Sequence, residues 1–219
     1  MSEKRTLYKK SVRLVKEIAF GVYILSFKRD FNFIPGQVIA IDLVSVGRPR
    51  LYSIASGNKD EDIEILFDER KSGQLTPFLS KLKPGESIFV SEPFGTYRTF
   101  DGKGYWIASG TGIAPFVSML RSGLSDGKTL IHGARSDDYF YFSEIIESDL
   151  KNEYIRCCSQ QNDTMYYNGR LTKWLELNDM LPIDAKYYLC GSAEMVVDVR
   201  DLLISKGIPF QNIISETYF

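Results

Sequence analysis

Two short runs carry the residue types that do chemistry. Arg50-Leu51-Tyr52-Ser53 sets a permanent cation, a flat aromatic ring and a small hydroxyl on what reads as extended backbone, after an apolar run at 38–43 and a turn holding Gly47 and Pro49. Side chains alternate faces along a strand, so Arg50 and Tyr52 share one face and Ser53 emerges on the other or at its edge. A guanidinium pairs with a pyrophosphate, a ring lies against an isoalloxazine and a hydroxyl reaches a ring nitrogen, so the set suits a flavin nucleotide. Alone, the same pattern arises by chance on ordinary strands. The second run, Tyr105 to Pro115, is an apolar strand, the turn Gly110-Thr111-Gly112, and a helix opened by Pro115. Glycines let backbone N–H groups approach a pyrophosphate, and a following helix N-terminus favours the anion. The spacing is not G-x-G-x-x-G, because Pro115 stands where the third glycine would be, and a tight strand-to-helix turn with no ligand explains the same residues. Another glycine turn, Cys190-Gly191-Ser192, ends a later strand of the same half.

The elements that must position these runs follow two grammars. Up to about residue 100 the chain reads as short strands cut by turns, at 7–18, 21–29, 37–45, 50–56, 62–68 and 86–91, which predicts an antiparallel β-barrel or sandwich. One helix interrupts at 76–82, with Thr76 as its N-cap and Pro77 at its first position. After Asp101-Gly102-Lys103-Gly104 strands alternate with helices. Strands are expected at 105–109, 128–133, 153–158, 186–190 and 211–217, helices at 113–122, 142–149, 170–176 and 193–206. That alternation predicts a five-stranded parallel sheet covered by helices. Two domains are therefore expected, 1–100 and 101–219. In an open α/β sheet, ligands bind beyond the carboxyl ends of the strands, where both glycine turns fall.

Composition narrows the function. The 219 residues hold 27 Lys and Arg against 28 Asp and Glu, a net charge of −1, so bulk electrostatics offers nothing to a nucleic acid. No apolar run approaches the ~20 residues of a membrane span, and no targeting segment is visible, so a cytoplasmic protein with no membrane role is expected. Cys157, Cys158 and Cys190 make no disulfide framework and are too few for an iron–sulfur cluster, and no metal is expected. Cys190 reads as a small strand-end residue unless a ligand lies beside it. His132, the single histidine, lies in an apolar strand with no carboxylate or hydroxyl partner suggested nearby, so it reads as structural. Lys4, Arg5, Lys9, Lys10, Arg13 and Lys16 crowd the N-terminus against Glu3 and Glu17, either as a solvated strand face or as a docking patch for an acidic partner.

At this point the chain resembles, nearly end to end, the FAD-containing ferredoxin–NADP reductase family, and within it the bacterial ferredoxin/flavodoxin reductases. The resemblance rests on five runs in order: Arg50-Leu51-Tyr52-Ser53; Gly73-Gln74-Leu75-Thr76-Pro77-Phe78-Leu79 with Leu82-Lys83-Pro84-Gly85-Glu86; Gly110 to Pro115; Tyr188 to Ser192 with Met195-Val196; and Glu216-Thr217-Tyr218-Phe219. It implies an antiparallel β-barrel holding FAD, then a five-stranded parallel sheet holding NADP(H). By the resemblance, Arg50 and Thr76 hold the FAD pyrophosphate, with Leu51, Gly73 and Leu75 lining the site. Tyr52 packs on the isoalloxazine and Ser53 bonds near N5. Thr111, between Gly110 and Gly112, reaches towards both nucleotides. Arg135, Ser159 and Arg170 match the nicotinamide-nucleotide side, Cys190 and Gly191 lie by the nicotinamide, Glu216 serves proton movement with Ser53, and Tyr218 and Phe219 cover the flavin. One departure stands out: Gln160 occupies the place where NADP-choosing members carry an arginine. No acid stands at the third strand's end to grip a 2′-hydroxyl, so NADP(H) with weakened discrimination is expected. The implied function is an NADPH–ferredoxin or flavodoxin oxidoreductase, a monomer whose carrier is a transient acidic protein. The alternatives are the NADH-dependent reductase of a multicomponent oxygenase, a flavin or ferric reductase, and a non-catalytic FAD-binding subunit.

Overall fold

Residues Leu7–Ala19 form β1, a strand long enough to pair on both sides: antiparallel with β2 (Val22–Lys28) and, through its first residues, antiparallel with β6 (Ser87–Ser91). The computed structural model describes residues 5–216. With β3 (Val38–Asp42), β4 (Arg50–Ser53) and β5 (Asp62–Asp68), these strands make a sheet in the order β4-β3-β6-β1-β2-β5. Its ends meet. Just past β4, Ile54 bridges Ile65 of β5, and Ala55 N donates to the Glu64 carbonyl at 2.8 Å. The sheet closes into a barrel, pairing backbone groups that an open edge would leave bare. Period-2 alternation sends Leu25, Phe27, Ile39, Ile41, Ile63, Ile65 and Ile88 inward, each fully buried. Gly36 turns the chain into β3 at φ +100°, and a Cβ there would meet the Tyr97 carbonyl under 3.0 Å, so only glycine fits.

The interrupting helix is shorter than the sequence suggests. α1 (Thr76–Leu79) is a single turn, and Thr76 is its first helical residue, with Leu75 at the capping position. The Thr76 hydroxyl accepts instead from Arg70 N at 2.8 Å, closing the preceding loop. A hydroxyl bonded backward cannot cap forward, so the capping role expected of Thr76 is corrected.

The second half forms a parallel sheet from β7 (Gly104–Ser109), β8 (Lys128–Ala134), β9 (Tyr154–Cys158), β10 (Tyr167–Asn168), β11 (Lys186–Cys190) and β12 (Ile213–Glu216), in the order β10-β9-β8-β7-β11-β12. The five strands expected from sequence are all present. β10 is a sixth, an edge strand of two residues paired with Cys157 and Cys158, too short to show any period. Helices α2 (Ala114–Arg121), α3 (Ser143–Leu150), α4 (Leu171–Leu177) and α5 (Ala193–Ser205) follow the strands. α5 is cut to length by its ends: Ser192 accepts from Met195 N at the start, and Gly207 follows at φ +86°. Its Met195, Val196, Val199 and Leu203 are buried in the core of this half.

By packing, one compact unit runs to residue 98 and takes in 117–122, and the other comprises 99–116 and the chain from 123. In the first, Ser118 Oγ donates to the Ser56 carbonyl at 2.7 Å and Arg121 pairs with Glu64 at 2.6 Å. Among the described residues no helix is long and apolar enough to cross a membrane.

His132 is fully buried in β8, as a structural residue should be, but it has a hydroxyl partner that the sequence does not suggest: its Nδ1 lies 3.0 Å from the Tyr154 hydroxyl, one strand over. Its ring also meets Phe140 edge-on. Burial, and then the neighbouring Arg156 charge, lower its pKa to about 3. A base whose folded pKa lies below its unfolded value of roughly 6.5 contributes stability that is present above that value and is lost as pH falls towards 3. Between pH 6.5 and 5, urea unfolding should therefore show the parent losing up to about 2 kcal/mol more than His132→Gln, which cannot titrate. Parallel losses would place the acid sensitivity elsewhere.

Candidate functional site

β4 carries its four residues with the alternation that its sequence requires. Tyr52 pairs with Ile39 and packs against the barrel core, edge-on to Phe67 at 6.3 Å. Burial raises its phenol pKa, while the Arg50 charge works the other way. Arg50 and Leu51 are exposed, and Ser53, paired with Val38, is buried. The loop before α1 is tightly wound: Gly73 N donates to the Arg70 carbonyl at 2.6 Å, and a Cβ on Gly73 would sit 2.9 Å from that oxygen and 3.3 Å from Thr76 Oγ1. Leu75 and Leu79 anchor this loop in the same core cluster that Tyr52 packs against. The donor set fits a flavin nucleotide. Arg50 offers a fork of N–H groups to a pyrophosphate, Thr76 accepts from Arg70 and so keeps its proton to donate, and Tyr52 offers a ring fixed by packing.

In the second unit the expected residues collect at the carboxyl ends of the strands. After β7 the chain does not enter α2 directly. Gly110–Ile113 form a 3₁₀ turn, with Gly110 at φ +55°, and α2 starts at Ala114. A Cβ on Gly112 would meet the Cys190 carbonyl and Gly191 Cα under 3.0 Å, and one on Gly191 would meet Ser109 Oγ and Met195 just as closely. The two glycine turns therefore pack backbone on backbone. Ser109 Oγ completes the junction by accepting from Ser192 N at 3.4 Å. Sequence reading passed over Ser109, whose place directly before Gly110 was its one signal. Cys190, at the end of β11, is 3% exposed and lies in register with Ala108 on one side and Glu216 on the other. Thr217, Tyr218 and Phe219 lie outside the described residues.

A second group gathers at the ends of β8 and β9. Ser159 N and Oγ both bond the Ala134 carbonyl, at 3.0 and 3.1 Å, and Gln160 N bonds the Arg135 carbonyl at 2.9 Å. Gly169 N donates to the Cys158 carbonyl at 2.7 Å, which sets Arg170 beside them at the start of α4. Arg135, Ser159, Gln160 and Arg170 are all exposed there. Gly133 makes room for Leu171, whose side chain would collide with a Cβ at that position. An unforeseen network ties the two loops: Asp137 N donates to Gln161 Oε1 (2.9 Å), and the Asp137 carboxylate accepts from Gln161 Nε2 (3.3 Å) and Thr164 Oγ1 (2.7 Å). Both carboxylate oxygens are thus engaged. Nothing local in the sequence signals pairing across 24 residues. Cys157 is core: burial pushes its thiol up to about 12, where it has no nucleophilic character near neutral pH.

Known proteins match this arrangement. Residues 106–201 match the family described as the oxidoreductase NAD-binding domain. The chain is 30% identical to a ferredoxin–NADP reductase of Azotobacter vinelandii, over 84% of this chain and 85% of that one. It is 26% identical to the toluate 1,2-dioxygenase electron transfer component of Pseudomonas putida, over 96% of this chain and 67% of that one. Among solved structures, a ferredoxin NADP+ reductase from Neisseria gonorrhoeae with bound FAD and NADP superposes with a TM-score of 0.84 at 21% identity, over 97% of this chain and 99% of that one. A flavohemoglobin from Malassezia yamatoensis gives 0.82 at 19% identity over 98% of this chain, which spans only 60% of it.

The interlocked turns generate a direct test. Gly112→Ala drives a methyl into the Cys190 carbonyl, and neither backbone can yield without moving a strand end. It should lower stability by roughly 1–3 kcal/mol in urea titration. Ala114→Gly, two residues on, should cost no more than about 1 kcal/mol.

Proposed function

This chain belongs to the ferredoxin–NADP reductase family, and we propose that it is a FAD-dependent oxidoreductase passing hydride from NADPH to FAD and single electrons on to ferredoxin or flavodoxin. The observation that carries this reading is the juxtaposition, on one strand, of exposed Arg50 with core-packed Tyr52 and buried Ser53, in a chain whose other unit ends its parallel strands on two interlocked glycine turns. The relatives named above support it at the level of family and oxidoreductase class.

In this reading residues 1–100 bind FAD and 101–219 bind NADP(H). Flavin, when bound, supplies what side chains lack: it accepts two electrons together and releases them singly. The protein's part is position. Arg50 would pair with the pyrophosphate through its N–H groups and Thr76 would donate to it. Tyr52, packed edge-on to Phe67, would present a ring face, and Ser53 would offer its hydroxyl near N5, where it could serve proton movement. The backbone of Gly110, Thr111 and Gly112 would hold the second pyrophosphate, Cys190 and Gly191 would border the nicotinamide, and Arg135, Ser159 and Arg170 would hold a 2′-phosphate. Tyr218 and Phe219 would supply the aromatic cover. Hydride transfer needs near-contact geometry, so rigid strand ends suit it.

One feature favours a second reading, the NADH-dependent reductase of a multicomponent oxygenase. Gln160 is exposed at the end of β9, where an arginine would favour NADP. The toluate dioxygenase component is a relative of that kind.

The N-terminal basic cluster enters this reading in reduced form. Lys10 pairs with Asp30, Arg13 with Asp62 (2.6 Å) and Glu61 (3.2 Å), and Arg5 lies over the Phe94 ring at 3.7 Å. Lys9 and Lys16, with Arg48 in the β3–β4 turn, remain as exposed cations for an acidic carrier.

Purified protein should be yellow, with one FAD per chain, and should bleach on anaerobic addition of NADPH, faster than with NADH. Arg50→Ala should weaken FAD retention about 10- to 100-fold, the worth of a lost charge-assisted contact. A colourless protein whose melting FAD leaves unchanged would end the reading; equal bleaching rates would favour the second. Reduction of ferredoxin or flavodoxin should slow as ionic strength rises, with a shallower slope for Lys9→Gln/Lys16→Gln. Salt-independent rates would point to a small-molecule acceptor.

A further inference from the structure

Arg170 is not alone at the carboxyl end of the sheet. Its Nη1 lies 3.9 Å from Oε1 of Glu194, and the two side chains are 75% and 77% exposed. The carboxylate is on the first turn of α5, one residue beyond Ala193, where the helix N-terminus stabilises a negative charge whatever Arg170 does. Arg170 is held by its backbone, whose carbonyl accepts from Lys173 N (3.0 Å) and Trp174 N (3.1 Å), while its guanidinium is largely exposed. The arrangement is asymmetric: the helix N-terminus also stabilises the acid, while the cation faces it from the start of α4. At this distance and exposure the pair itself contributes little to stability. Its effect falls on whatever anion Arg170 is to hold.

We propose that Glu194 is a specificity-determining residue that lowers the preference for a 2′-phosphorylated nucleotide by competing for Arg170. This rests on the reading of Arg170 as a phosphate partner. A phosphate monoester carries about −1.5 to −2 charges at neutral pH, so it must draw the guanidinium away from Glu194 and then lie within the field of that carboxylate. An unphosphorylated nucleotide carries no charge at the 2′ position, leaves the pair intact and meets no such opposition. Gln160 is uncharged at the same strand ends, so position 160 adds no cation to Arg135 and Arg170 to offset the acid. Glu194 and Gln160 then act in the same direction, towards acceptance of both nucleotides.

The test uses direct binding by calorimetry to the whole protein, with adenosine 2′,5′-bisphosphate and 5′-AMP as probes. Glu194→Gln should tighten the bisphosphate about two- to fivefold, the scale of one surface charge pair, and leave 5′-AMP unchanged. Asp198→Asn, which removes the same charge one turn along the same helix, should do less than half as much. In an Arg170→Ala background, the gain from Glu194→Gln should vanish. Equal effects of the two acid substitutions, or a gain that persists without Arg170, would reduce Glu194 to a share of the general field and overturn the proposal. No gain in a parent that binds the bisphosphate overturns it while leaving the nucleotide site standing. A parent that binds neither probe overturns the nucleotide reading and this inference with it.

Discussion

The contact on which the site end of the second unit depends is backbone against backbone: the turn after β7 lies on the turn after β11, with the Cys190 carbonyl where a Gly112 side chain would be. β7 and β11 are adjacent in the sheet, so their exits compete for the same space. Glycine at Gly112 and Gly191 resolves the competition. The result is the 3₁₀ turn Gly110–Ile113, which delays the start of α2 and leaves a run of backbone N–H groups at the sheet's carboxyl edge. The glycines thus have a packing reason that holds before any ligand binds. The tight turn weighed from sequence is present, and a turn compressed in this way also presents backbone donors.

The barrel rests on a different constraint. β4 has only four residues, yet it must seal against β3 on one side and hand over to Ile54, whose bridge to Ile65 closes the cylinder. Closure fixes which face of β4 looks inward. Tyr52 is drawn onto Phe67, and Arg50 is left outside on the same face, further along. A slip of one residue would exchange those faces, taking Tyr52 off Phe67 and turning Leu51 inward in its place.

Much of this was legible because it follows from local rules. Alternation located β2, β3, β5 and β6, and helical spacing with a terminal glycine located α5. What could not be read depends on distant partners. Thr76 has the residue type of a cap, but whether its hydroxyl turns forward or back to Arg70 is decided by the loop's closure. β10 exists only because Tyr167 and Asn168 find the β9 edge. The hydroxyl beside His132 arrives from β9 through sheet pairing. The N-terminal basic run looked like a single-sign patch in one dimension, whereas β2, β5 and their connections set acids beside it. The Asp137–Gln161–Thr164 network likewise has no signal in either loop alone.

These differences sort the candidate site into two kinds of parts. The parts proposed for a pyrophosphate are backbone, and packing enforces them: a change at Gly112 or Gly191 disturbs a strand end before it touches any ligand. The parts that would distinguish one nucleotide from another are side chains such as Gln160, Arg170 and Glu194, all exposed and weakly tied to the fold. Substitutions among them carry little stability penalty, since exposed ion pairs contribute about 0–1 kcal/mol. A scaffold built this way can keep its catalytic geometry while nucleotide preference drifts. Such a separation is compatible with a chain 30% identical to a ferredoxin–NADP reductase and 26% identical to a dioxygenase electron transfer component.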